Sequence, residues 1–267
     1  MIEPLSDFES IIKFYHSQHT FVYKANPGNA GDGVIASATY DFFEKFNLDF
    51  EMYSASAKYN PNEHVLVFGG GGNLIEGLYR EGRDFLEDNL SSFAKVLIFP
   101  STIKGYSDFF REHEDKFVVF CREQTTYEYI LSLGYDGNSC YLTDDMAFYL
   151  DLKKYTSGAS VTKESCNCFR TDGESSFETG HENNHDISLT WNGDYWDNKD
   201  LARNSTRCMI NFLESYSTIN TDRLHVSILG CLLDKKVNFY PNSYYKNQAV
   251  FNYSILNKFQ KVVFITS

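Results

Sequence analysis

The 267 residues carry 24 basic against 36 acidic groups, a net charge of −12 with histidine neutral, which argues against an extended nucleic-acid or anionic-membrane surface. Hydrophobic residues make up 42% and aromatics 16%, enough for packed cores, and no run approaches the roughly 18 apolar residues that span a bilayer. The opening MIEPLSDFES is acidic where a signal peptide is basic and then apolar, and the six cysteines lack paired CxxC spacing. A cytoplasmic protein with neither a disulfide framework nor a structural zinc site is expected, and any anion it binds must meet a local basic site.

Aromatic and β-branched runs at 20–24, 48–53, 64–68, 95–99, 117–121 and 139–143 predict strands. Between them, 33–46, 74–93, 106–114 and 122–133 read as helices, so βαβ units and a parallel sheet covered on both faces follow. From Asp151 the composition turns to Ser, Gly, Glu and Asn, which places a linker at 151–165 between a first domain, 1–150, and a second, 166–267. The second domain alternates 166–170, 186–191, a helix near 197–216, 217–220, a helix over 222–234, 236–240, a helix near 242–257 and 261–265. Two Rossmann-like α/β lobes facing a cleft are the most economical architecture, with ligands at the carboxyl ends of the strands.

His181-Glu182-Asn183-Asn184-His185 matches HExxH, whose chemistry requires a helix so that both imidazoles share one face. Gly180 before it, two asparagines within it and Asp186 after it predict a solvated loop instead, with no metal site. Strand 64–68 runs into Gly69-Gly70-Gly71-Gly72-Asn73, where missing Cβ atoms let a ligand approach amides at a helix N-terminus; positive φ or close packing explains such glycines equally well. Pro27-Gly28-Asn29-Ala30-Gly31-Asp32-Gly33 opens another helix, with Asn29 or Asp32 as a ligand contact or as N-cap. Arg122 stands where strand 117–121 gives way to a helix, poised for an anion or for a salt bridge to Glu123 or Glu128. In Ser217–His225, Arg223 and His225 are two residues apart and share a ligand only in an unfinished first turn; His225 is otherwise a core-edge histidine bonded to backbone.

Taken in order, NAGDG, GGGGN, FPSTI, CRE, DDMAF, CFRTD, TDRLH and the late SYYK resemble the polysaccharide pyruvyl transferase family, through nearly the whole chain, with TDRLH the most diagnostic. The resemblance implies a fold similar to two-lobed (GT-B type) glycosyltransferases and transfer of pyruvate from phosphoenolpyruvate to a sugar as a cyclic ketal. It carries the donor site onto Arg122, Arg223, Leu224 and His225, with Asn29, Gly31 and Asp32 from the first glycine loop, Gly70, Gly71 and Asn73 from the second, and Lys246 in the late helix. No tightly bound cofactor is implied. The acceptor is a glycan or lipid-linked sugar, which allows peripheral association with a membrane and gives a role in exopolysaccharide or capsular polysaccharide biosynthesis.

Phosphoenolpyruvate carries a carboxylate and a phosphate, and two arginines suit both through forked, charge-assisted hydrogen bonds. His225 or Asp32 is the candidate base; histidine's ordinary pKa of about 6.5 suits either direction of proton transfer near neutrality. A nucleotide-sugar-dependent glycosyltransferase and a non-catalytic glycan or sugar-phosphate binding protein are the alternatives. The donor consumed separates the first, and binding without phosphate release identifies the second.

Overall fold

The computed structural model describes residues 7–176 and 182–266. The chain folds into two compact units, one made of Met1–Asn26 with Phe42–Asp145, the other of Pro27–Asp41 with Met146–Ser267. The chain therefore crosses between the units at 26/27, 41/42 and 145/146, and residues 27–41 group with the second unit.

The first unit is a parallel sheet of seven strands: β1 (Thr20–Lys24), β2 (Phe50–Met52), β3 (His64–Phe68), β4 (Gly71–Ile75), β5 (Lys95–Lys104), β6 (Phe117–Cys121) and β7 (Cys140–Leu142), in the order β2-β1-β3-β5-β6-β7 with β4 paired to β5. Burial on both faces explains the continuous apolar runs. Val22, Leu66, Val96 and Phe117 stand opposite one another across four strands and join one core cluster. The other face is covered by α1 (Phe8–His16), a helix not expected from the sequence. Asp7 caps it by accepting from the Ser10 amide at 2.8 Å, and Phe8 packs on Phe42, Phe99 and Phe120.

One expected helix, 74–93, is shorter than expected and begins within a strand. Residues 71–75 form β4, and the helix of this region, α3, covers only Glu81–Asn89. The reason lies in β5, which runs on to Lys104 rather than stopping at 99 and shifts register between Ile98 and Ser101. Its extension offers an open edge on which Gly71 pairs with Ser101, and Leu74 with Ile103. The helices α4 (Ser107–Glu112) and α5 (Gln124–Ser132) lie inside their expected spans.

The second unit has four parallel strands, β8 (Lys163–Cys168), β9 (Tyr216–Thr221), β10 (Lys236–Phe239) and β11 (Val262–Phe264), in the order β11-β10-β9-β8. Two helices pack in it: α6 (Lys199–Glu214), capped by Asn198, and the shorter α7 (Leu224–Leu232), whose Gly230 lets Val237 and Ile219 approach within 2.6 and 3.1 Å of where a Cβ would sit. Residues 186–191, expected as a strand, instead form a short 3-10 turn over Ile187–Thr190. The late helix is a short α-turn, Lys246–Val250, continued by a π-turn over Phe251–Ile255. Residues 27–41 are fastened within this unit: Ser37 bonds Thr206 at 2.9 Å, and the Asp41 carboxylate accepts from Lys154 and Arg203 at 2.9 and 2.8 Å. Parallel sheets flanked by helices make this a Rossmann-like α/β protein. Among the described residues no helix is long and apolar enough to cross a membrane.

Candidate functional site

In the first unit the chain leaves β1 toward β2 on one side, while β3 leads to β5 on the other, so the β1/β3 boundary is a topological switch point. Asn26 lies across it, with Nδ2 donating to the carbonyls of Gly69 and Gly70. Its Oδ1 is buried and accepts no hydrogen bond from the described residues. The glycine loop is shaped by close packing: a Cβ at Gly69 would lie 2.9 Å from the Asn26 amide nitrogen, and one at Gly70 would lie 2.6 Å from the Pro100 carbonyl oxygen. Gly71 has φ +134°, a conformation that suits only glycine. Gly71 and Asn73 belong to β4, so the loop leads into a strand and offers no helix N-terminus to an anion.

Arg122 follows β6, and the N-cap of α5 is Glu123, whose carboxylate accepts from the Thr126 amide at 2.9 Å. The guanidinium is 1% exposed. Nε donates to Thr102 Oγ1 at 2.9 Å, and NH1 to Asp145 Oδ2 at 2.7 Å. Its counter-charge is therefore Asp145, at 0% side-chain exposure, rather than Glu123 or Glu128. NH2 faces Gly72, 3.6 Å from the position of an absent Cβ.

In the second unit, Asn29 precedes α2 (Ala30–Phe46), and its Oδ1 accepts from the Gly31 amide at 2.8 Å, so Asn29 takes the capping role. Asp32, in the first turn, lies against Gly28, where a Cβ would sit 2.8 Å from the Asp32 Cγ. His225 closes over the same turn. A methyl group at Gly31 would overlap His225 Nδ1 and come within 2.9 Å of Asn29 Oδ1, so Gly31 is the gap into which the imidazole fits. Leu224, 5% exposed, opens α7 on its core side.

Arg223 occupies the N-cap position of α7 and is 4% exposed. Nε and NH2 grip both oxygens of Asp186 at 2.9 and 2.6 Å, and NH1 meets Asp172 Oδ2 at 2.8 Å. Asp172 in turn binds Arg170 Nε at 2.7 Å, Arg170 NH1 meets Glu174 at 2.8 Å, and Lys246 Nζ reaches the same Glu174 oxygen at 2.8 Å. Three cations and three carboxylates thus alternate in one chain. All three nitrogens of the Arg223 guanidinium thus have a carboxylate partner, and five N–H groups exceed the three contacts made.

Ionisation follows these contacts. Burial works against the Asp172 carboxylate, but the bond from Arg170 and the charges of Arg223 and Arg170 hold its pKa below the usual value. Burial likewise opposes the Arg170 charge, which the Asp172 bond and the neighbouring acids more than restore. Asp222 goes the other way: buried between these arginines, it is pushed up to about 6 by desolvation, although its Oδ1 accepts the Arg170 amide at 2.7 Å. Its Oδ2 accepts no hydrogen bond from the described residues.

Of the HExxH residues, His181 lies outside those described. The rest is no helix, with Asn183 at φ +53°. Asn184 clamps the Phe169 backbone through two 2.8 Å bonds, and the His185 amide donates to the Asn167 carbonyl at 2.9 Å. This loop sets the position of Asp186 beside Arg223. No cluster of three or more His, Cys, Asp or Glu able to hold a metal occurs among the described residues.

The structure brings Asn29, Gly31 and His225 together, joins Arg223 to Lys246 through the acidic chain, and sets Gly72 beside Arg122. Asn26, Asp145, Arg170, Asp172, Glu174, Asp186 and Asp222 were not assigned from sequence. Arg170 and Asp172 lie in CFRTD, Asp145 in DDMAF and Asp222 in TDRLH, so the motifs contained the signal without separating ligand from partner.

The sequence model for polysaccharide pyruvyl transferase matches residues 29–244. A solved structure of a functionally uncharacterised protein from Klebsiella pneumoniae subsp. pneumoniae NTUH-K2044 is similar, with 62% identity, full coverage of both chains and a TM-score of 0.94. No curated protein matches the chain.

Proposed function

Because the chain belongs to the polysaccharide pyruvyl transferase family and is a transferase of that kind, we propose that its donor is phosphoenolpyruvate and its product a cyclic pyruvate ketal on two hydroxyls of a glycan or its lipid-linked precursor. The observation that carries this reading is the Arg223 guanidinium, held by Asp186 and Asp172, two residues before the His225 imidazole seated at Gly31. An anionic donor needs such a focus in a protein of net charge −12.

In this mechanism Arg223 binds an oxyanion of the donor, and Arg122 is the separate guanidinium that the first unit offers to an anion through NH2. The methylene carbon takes a proton, a sugar hydroxyl adds to the central carbon, phosphate leaves with its bonding pair, and the second hydroxyl closes the ketal. His225 takes the hydroxyl proton or gives one to the departing phosphate; Asp32, held at Gly28 in the same loop, is the alternative base. Lys246 acts through Glu174 and Arg170, balancing the acidic chain.

The test is incubation with labelled phosphoenolpyruvate and candidate glycosides, followed by mass spectrometry for the ketal and an assay of released phosphate. Consumption of a sugar nucleotide in place of phosphoenolpyruvate refutes the reading, as does glycan binding with no turnover of either donor.

A further inference from the structure

Trp191 and Tyr195 are 44% and 45% exposed, two large aromatic rings left in solvent on one short segment. They stand 6.4 Å apart with ring planes at 78°, forming a corner rather than a flat patch. Solvent-facing rings offer a stacking surface to a ligand that has an apolar face.

The segment is fixed at several points to residues already described. Asp186 at its start grips Arg223. Asn192 and Gly193 pair antiparallel with Asn29 and Gly28. Trp196, fully buried, donates from Nε1 to the Gly28 carbonyl at 3.1 Å and lays its ring on Gly33. Gly193 has φ +155°, and a Cβ there would lie 2.6 Å from the Tyr195 ring, so that ring lies close over the backbone. Trp191 is one residue from Asn192, the partner of Asn29, and paired strands run about 4.8 Å apart.

From this we infer that Trp191 and Tyr195 form the acceptor subsite, a corner on which a pyranose ring of the glycan stacks beside Asn29 and His225. The inference rests on the pyruvyl-transfer reading for its placement. A pyranose has one face of C–H groups and a rim of hydroxyls; the rings supply the apolar faces, and the exposed Asn192 and Asp194, between them in sequence, are hydrogen-bonding groups of the same segment. A lipid surface or an apolar helix needs a broader continuous apolar face than two rings set as a corner supply.

The chain has two tryptophans, and Trp196 is buried, so a change in tryptophan emission on adding sugar reports Trp191. The probes are methyl glucoside, galactoside and mannoside, then lactose and cellobiose. A saturable response to at least one is expected, lost in Trp191→Ala, weakened in Tyr195→Ala and restored in part by Trp191→Phe as read by saturation-transfer NMR. With a working acceptor, Trp191→Ala should raise the acceptor KM about tenfold or more and leave the phosphoenolpyruvate KM unchanged. No saturable sugar response across the panel, a response to phospholipid vesicles instead, or an unchanged acceptor KM in folded Trp191→Ala overturns the inference. Sugar binding at Trp191 without any phosphoenolpyruvate turnover upholds this subsite and sinks the donor reading; normal turnover with an unchanged acceptor KM does the reverse.

Discussion

Arg122 and Arg223 are both buried guanidiniums beside a strand end, yet they are held in different ways. Arg122 has one carboxylate, Asp145, and one neutral acceptor, Thr102, both within the first unit. Arg223 sits in an alternating series that runs from Asp186 to Lys246, so its counter-charges are themselves shared with other cations. A buried pair depends on both partners, because losing one strands a charge in low dielectric. A series spreads that penalty and lets a guanidinium take a new anion while its neighbours adjust. In the proposed function, Arg122 would then act as a fixed post and Arg223 as an exchangeable contact.

The largest effects should appear beside Arg223. His225→Ala should lower turnover by about 100-fold to 10,000-fold, the span of a general acid or base, with a smaller loss of donor affinity. Gly31→Ala sharpens the point. Alanine is the better helix former by about 1 kcal/mol, so this change in the first turn of α2 should not harm the helix itself, but its methyl group displaces His225. A folded Gly31→Ala protein with normal turnover would remove His225 from the chemistry.

Next comes Arg122→Lys. An ammonium keeps the charge but cannot bond Thr102 and Asp145 while presenting a further N–H toward Gly72. Turnover should fall about 10-fold to 150-fold, equivalent to about 1.5–3 kcal/mol for a lost charge-assisted bond, and Tm should fall with it. Arg223→Lys should weaken phosphoenolpyruvate binding with less loss of Tm, since Arg170 and Lys246 remain to balance the acidic series. Kinetics and thermal unfolding on both variants decide this. Equal Tm losses would erase the distinction between post and exchangeable contact.

Most of the architecture was legible because its cause is local. Continuous apolar runs such as 64–68 and 117–121 fit doubly buried strands, and they are such strands. Residues 71–75 were not legible, because their strand exists only through the extended β5 edge, and no periodicity in GGNLI records that edge. The same holds for the site. Gly31 and His225 were singled out separately, yet their fit depends on the fold bringing together residues 194 positions apart. The acidic partners stayed hidden for an electrostatic reason: a sequence shows a carboxylate but not which guanidinium it neutralises. Arg122 illustrates this, since its neighbours in sequence, Glu123 and Glu128, lost to Asp145.

The smallest effect concerns Asp222, and it separates stability from function within the Arg223 series. Burial raises its carboxyl to about 6, above the ordinary 3.8, despite the attraction of Arg170 and Arg223. Between those two values the native state holds more protons than the unfolded state, so this group's contribution is fully present below 3.8 and lost as pH rises through about 6. Asp172, with its pKa lowered, acts oppositely and loses its contribution as pH falls. Asp222→Asn removes only the first of these. It should therefore be more stable than the parent at pH 8, by about 1–3 kcal/mol, with the advantage shrinking toward pH 4, as urea unfolding at several pH values would show. If the variant is instead less stable at pH 8, the Asp222 charge is needed to hold Arg170 and Arg223 in place. If it is more stable but binds phosphoenolpyruvate differently, the buried carboxylate is a functional element kept at the expense of stability.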